Sequence, residues 1–206
     1  MTFRKEEKLR IATGKIFDLR KWIEENEGKI LYPTRVINSI YFDNQIFSMF
    51  NQSIEGVLPR KKIRLRVYSK NFFNSHEIKK EVKISSVEGR YKISEITKDP
   101  LQLINLGIYD QSYGLCHPVL NVLYKRNYYI MNDIRITLDE NIVYKNITNN
   151  KISQFSIPDK FNIVEIKYSN KKPEKLISST FPFERCRFSK YCRGIEFIKL
   201  NYCNEL

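Results

Sequence analysis

The chain has 206 residues and carries 36 lysines and arginines against 23 acidic residues, a formal net charge of +13. With 42% hydrophobic and 29% charged residues it holds enough apolar material for a core, which excludes wholesale disorder. No apolar run approaches the ~18 residues of a membrane span, and the cationic excess points to an anionic partner.

Residues 1–206 read as a single domain, with neither linker nor low-complexity tract. Met1 to Arg10 is studded with charge and lacks an apolar h-region, so a cytoplasmic location is expected. Cys116, Cys186, Cys192 and Cys203 form no CxxC pair, and reduced structural thiols are expected. His76 and His117 lie far apart, which argues against a histidine metal centre or a Ser-His-Asp triad. The seven glycines are scattered singly and make neither a GxxxxGK nor a GxGxxG loop. Phosphate binding through a glycine loop at a helix N-terminus is therefore not expected.

In chain order, Arg4, Glu6, Lys8 and Arg10 alternate with Lys5, Glu7, Leu9 and Ile11, a strand with one charged face. Ile16, Leu19, Trp22 and Ile23 fall at helical spacing. Val36 to Asp43 reads as a strand, with Ser39, Tyr41 and Asp43 on one side. Ile63 to Tyr68 sets Arg64 and Arg66 against Ile63, Leu65 and Val67. Lys79, Glu81 and Lys83 oppose Ile78, Val82 and Ile84. Helical stretches are expected over Ile96–Leu106, Lys172–Ser178 and Gly194–Tyr202. Between them, an aromatic-rich strand runs from Val119 to Met131. Arg135, Thr137 and Asp139 oppose Ile134, Ile136 and Leu138, and Glu165 and Lys167 oppose Val164, Ile166 and Tyr168.

Many short strands with turns between them suggest an all-β sandwich or barrel decorated by a few helices. The charged faces then have two readings. They are the solvated sides of antiparallel sheets, or helices cover the apolar faces outside a barrel and the charges point inward. A dry interior of that kind would be ruinous, since an unpaired buried ion costs several kcal/mol. The second reading requires a hydrated tunnel that receives a polyanion and a cation. The pattern alone leaves both open.

Eight motifs occur in order: Glu6-x-Lys8, Ser39-Ile40-Tyr41-Phe42-Asp43, Arg64-x-Arg66, Glu81-x-Lys83, Tyr124-x-Arg126, Arg135-x-Thr137-x-Asp139, Glu165-x-Lys167 and Phe188-Ser189-Lys190-Tyr191. The set resembles the VTC (vacuolar transporter chaperone) polyphosphate polymerase domain of the triphosphate tunnel metalloenzyme, or CYTH-like, superfamily. It spans residue 4 to about residue 195. The resemblance implies an α+β, mainly antiparallel fold: a closed eight-stranded tunnel with a charged, hydrated interior and helices packed outside. It also implies transfer of the ATP γ-phosphate onto a growing polyphosphate chain, with Mn²⁺ or Mg²⁺.

The matched positions suit that chemistry, which relies on positioning and charge neutralisation. Arg64 and Arg66 can fork onto phosphate oxygens. The resemblance adds Lys83, Arg126, Lys167 and Lys190 as catalytic cations. It adds Lys8, Lys92, Tyr124, Arg135, Arg187 and Ser189 as substrate-binding groups. Arg187 stands where a lysine is the pattern, which keeps the charge and changes the geometry. Glu165 is implied as a metal ligand, with Glu6, Glu81 and Asp139 as further carboxylates. For Glu81 and Asp139 the alternative use is ion pairing with neighbouring Lys and Arg.

Arg4 stands where the hydrolase signature Glu-x-Glu-x-Lys has its first carboxylate, which favours a polymerase over a tunnel-fold triphosphatase. A non-catalytic module that binds polyphosphate or RNA is the third reading. Nucleic acid is not the expected partner, because the 13 Phe and 13 Tyr lie mostly on apolar faces. The expected ligands are ATP, polyphosphate, triphosphate and pyrophosphate. Transport of the polymer would need a separate membrane partner.

Overall fold

The computed structural model describes residues 4–75, 77–169 and 183–203. His76 and the helix expected over Lys172–Ser178 lie outside them. The main strands form one sheet path, in the order β1 (Arg4–Ala12), β11 (Phe161–Ser169), β8 (Ile134–Thr148), β7 (Gly114–Met131), β2 (Lys29–Asp43), β3 (Arg60–Val67), β4 (Lys79–Ser85) and β5 (Arg90–Ile96). Short strands β6 (Ile108–Asp110), β9 (Lys151–Ile152) and β10 (Ile157–Pro158) pair on β7 or β8. The pairs β1–β11, β11–β8, β2–β3, β3–β4 and β4–β5 are all antiparallel. The expected eight strands and their mainly antiparallel pairing are thus present. Among the described residues the hydrogen-bonded path runs from β1 to β5.

The chain divides into two compact units built from discontinuous segments. The first comprises Met1–Val36, Tyr124–Ile142 and Pro158–Phe188. Its core is the apolar face of β1, β8 and β11: Leu9, Ile11, Ile134, Ile136, Leu138, Val164, Ile166 and Tyr168. Helix α1 (Ile16–Glu25) covers that face with Leu19 and Ile23, and Trp22 packs at its edge. The helical spacing in the sequence is therefore explained by burial on a sheet. Because strand side chains alternate, the charged residues of the same strands occupy the face away from α1.

The second unit comprises Ile37–Leu123, Val143–Ile157 and Ser189–Leu206. It holds β3 to β6, α2 (Ser48–Glu55), α3 (Pro100–Leu106) and α4 (Lys190–Cys203). Two expectations change here. The helix expected over Ile96–Leu106 is the end of β5 followed by α3. Asp99 caps α3, its carboxylate accepting from the Gln102 N–H at 2.9 Å. Pro100 disfavours helical backbone at the residue before it, which bars extension back to Ile96. Helix α2 escaped the sequence reading because much of its N-terminal capping comes from upstream. The buried Asp43 carboxylate accepts from the Met49 and Phe50 N–H groups at 3.1 and 3.0 Å. Phe47, the residue at the N-cap itself, has left-handed backbone and no side-chain cap.

Cys116, Cys186 and Cys192 are free thiols, as expected. No helix among the described residues is long and apolar enough to cross a membrane.

Candidate functional site

The first unit presents a charged face on β1, β11, β8 and β7. Register places Glu6 opposite Lys167, and Lys167 opposite Arg135. The next row is Lys8, Glu165 and Thr137. One ammonium joins two carboxylates: Lys167 Nζ lies 2.6 Å from Glu165 and 3.9 Å from Glu6. Lys8 Nζ donates to the Phe188 carbonyl at 2.7 Å and lies 3.8 Å from Glu6. Arg126 grips Asp139 through two bonds, at 2.5 and 2.7 Å, and its head lies 5.3 Å from the Tyr124 ring centre. The Arg135 guanidinium lies over the Tyr32 ring.

This is not a solvated sheet exterior, since the Asp139 side chain is 0% and Glu165 12% exposed. Burial works against the Glu165 charge, but Lys167, Arg126 and Lys8 outweigh it and hold the carboxyl well below its usual range. Burial likewise opposes the Arg126 charge, and Asp139 raises its affinity for the proton further.

The second unit carries the denser cationic face. Register aligns Ser39, Arg66 and Lys79 in one row and Tyr41, Arg64, Glu81 and Ser94 in the next. Lys62, Lys83 and Lys92 make a third. Glu81, 2% exposed, receives Arg64 at 2.6 Å, Lys92 at 2.7 Å and Arg66 at 3.6 Å. Desolvation would raise its carboxyl, yet Arg64 and Arg66 bring it down to about 2. Tyr41 accepts from Arg64 at 2.9 Å, stacks on Tyr191 with ring centres 5.2 Å apart, and is buried. Burial pushes its phenol up, but Arg64 and Arg66 prevail and lower it to about 8. Arg66 also donates to Ser39 at 3.1 Å.

Ser189 precedes α4 and accepts from the Cys192 N–H at 3.3 Å, an N-cap bond. It also accepts from Lys62 Nζ at 2.8 Å. Lys190 starts α4, and Arg187 is exposed just upstream. Asp43 and the Tyr191 hydroxyl, from two of the motifs, are hydrogen-bonded.

The structure therefore gathers Glu6, Lys8, Tyr124, Arg126, Arg135, Asp139, Glu165 and Lys167 on the first unit's charged face. It gathers Arg64, Arg66, Glu81, Lys83 and Lys92 on the second unit's face, and Ser189 is tied to that face through Lys62. Glu81 and Asp139 are both engaged by arginines. Sequence reasoning passed over Lys62 and Tyr41. The signal for Lys62 was its place two residues before Arg64, hence on the same strand face.

The donor set of the first unit fits a hard divalent cation. Glu6 and Glu165 both approach the Lys167 ammonium and are the carboxylates on this face that could hold such an ion. Such ions take few protein carboxylates and complete their shell with water and phosphate. No group of three or more His, Cys, Asp or Glu residues able to hold a metal exists among the described residues.

Solved structures of the same fold include a protein from Vibrio parahaemolyticus put forward as an adenylate cyclase, 13% identical over 91% of this chain and 95% of that one, TM-score 0.55. A Bacillus halodurans protein put forward as an adenylate cyclase is 11% identical over 90% and 95%, TM-score 0.56. A Hippeastrum protein, put forward as an adenylyl cyclase and reported with a dominant triphosphatase activity, is 13% identical over 94% and 96%, TM-score 0.57. No curated protein matches the sequence. At these identities the likeness defines the fold class. The family follows from the sequence: residues 3–199 match the VTC domain, and the chain belongs to that family.

Proposed function

We propose that the chain is an ATP-dependent polyphosphate polymerase that transfers the γ-phosphoryl group of ATP to a growing polyphosphate chain in a basic tunnel. The observation that carries this reading is the face of β3, β4 and β5. There Lys62, Arg64, Arg66, Lys79, Lys83 and Lys92 share the strand face of Glu81; Arg64, Arg66 and Lys92 contact Glu81, and Lys79 pairs with Glu77 at 2.8 Å. Cations outnumber carboxylates on this strand face, a charge balance that suits a polyanion.

An oxygen of the terminal phosphate of the acceptor attacks the γ-phosphorus, the bond from that phosphorus to the ADP oxygen breaks, and ADP leaves. The attacking oxygen is already anionic, so no general base is needed. Charge on the transferring group spreads over its equatorial oxygens. Arg64 and Arg66, held in place by Glu81, Tyr41 and Ser39, neutralise it by forked hydrogen bonds. On the second unit Lys83, Lys92 and Lys190 add fixed positive charge, and on the first unit Arg126, clamped by Asp139, does so with Lys8 and Lys167. Glu6 and Glu165 would hold Mg²⁺ or Mn²⁺, which supplies charge neutralisation at phosphate oxygens. Arg4, at the start of β1, replaces the first carboxylate of the hydrolase signature and favours transfer to phosphate over transfer to water. In this reading the enzyme works in the cytoplasm and leaves transport to a membrane partner.

The second reading is a triphosphatase, supported by the activity reported for the Hippeastrum protein of the same fold. Incubation with ATP and Mn²⁺, resolved on a gel, separates the two. A polyphosphate ladder is expected, whereas free phosphate alone would establish the hydrolase. Arg64→Ala and Lys190→Ala are each expected to lower polymer formation at least about 100-fold with the circular-dichroism spectrum unchanged.

A further inference from the structure

Two buried polar atoms on the first unit's charged face have no hydrogen-bond partner among the described residues. One is the hydroxyl of Thr137, a residue only 5% exposed, and the other is Nε of Arg135. Both side chains leave β8 on the same side, two residues apart, while Ile134, Ile136 and Leu138 point into the apolar core. Orphaned buried donors are rare and costly in native proteins, and two side by side call for an acceptor from outside the chain. Their surroundings specify its charge. Thr137 lies across from Glu165 and Arg135 across from Lys167, and Lys8 stands beyond Glu165 in the same row. The carboxylates nearby are already engaged, Asp139 by Arg126 and Glu165 by Lys167. The Arg135 guanidinium is backed by the Tyr32 ring, 5.6 Å away.

We propose that the Thr137 hydroxyl makes direct contact with a phosphoryl oxygen of a condensed phosphate, beside Arg135, which the family resemblance already implies as a substrate-binding group. The proposal rests on the condensed-phosphate reading above and adds to it a residue that the charge pattern does not single out. A threonine among arginines and lysines offers no charge. Its contribution is direction, because a hydroxyl fixed on a strand accepts only one placement of the oxygen it meets.

The test is calorimetric titration of the full chain with tripolyphosphate, without divalent metal. Thr137→Val keeps the shape and removes the hydroxyl. It is expected to weaken binding about ten-fold. The melting temperature of the ligand-free protein should stay level or rise, because an unsatisfied buried group has gone. A merely structural threonine would lower that temperature and leave affinity untouched. Thr137→Ser should bind like the wild type. If Thr137→Val binds tripolyphosphate as tightly as the wild type, the contact is overturned while the polymerase reading stands. If the wild-type chain itself fails to bind tripolyphosphate, both fall.

Discussion

Tyr41 is a neutral side chain in a row of charges, and its ionisation is tied to the cations that the proposed substrate would use. Its phenol falls from 10.0 to about 8 because Arg64 and Arg66 outweigh the opposing effect of burial. A folded-state value below the unfolded one adds stability that is complete above pH 10 and is lost as pH falls from 10 through 8. Binding should move the other way, since an ionised Tyr41 claims the Arg64 charge. Tripolyphosphate affinity is expected to fall as pH rises through about 8, and Tyr41→Phe should remove that component. Phenolate absorbance followed in the same titration would tie the change to this residue. Tyr41 was visible in the sequence only as part of a motif. Its role depends on Arg64 standing directly across from it on β3, a pairing that strand register creates.

At the scale of elements, Asp43 joins β2, α2 and α4. The residue is 1% exposed, and its carboxylate accepts from the Asn44, Met49 and Phe50 N–H groups and receives the Tyr191 hydroxyl. Its burial and the hydrogen bond to Asp43 hold the Tyr191 phenol well above its usual range. Asp43→Ala strands these donors and is expected to cost about 3 kcal/mol, read as a lower urea midpoint with unchanged slope. Elements with a periodic apolar face were legible in advance: β1, α1, β3, β4 and β11 lie close to where alternation or helical spacing placed them. Strands β2 and β8 run longer than expected. The first half of β2 is exposed at nearly every position, so burial leaves no alternating signature there. Helix α2 and strand β5 were missed for related reasons. Asp43 caps α2 from outside the helix, and β5 buries nothing.

For the whole molecule, the net charge of +13 predicts that binding of polyanions is largely electrostatic. Affinity for long-chain polyphosphate is expected to drop roughly ten-fold or more between 0.05 and 0.2 M salt, measured by titration at each ionic strength. The composition revealed this charge, but not its distribution. Lysine-rich sequences commonly place charge at random over the surface, whereas here residues far apart in the chain share faces. Glu6 and Lys167 become neighbours because β1 pairs with β11. Ser189 meets Lys62 because α4 begins beside β3. The motifs supplied most of the participants, and the pairing of strands and the placement of α4 set which of them touch.

Strand β5 has every residue exposed and, among the described residues, pairs only with β4. With no buried side chain to anchor it, its amide protons should exchange with deuterated solvent well before those of β3 or β11. Lys92 rides on this strand, so its bond to Glu81 is the cationic contact most subject to fraying. A bound polyanion that engages Lys92 should slow that exchange, making β5 an internal reporter of occupancy.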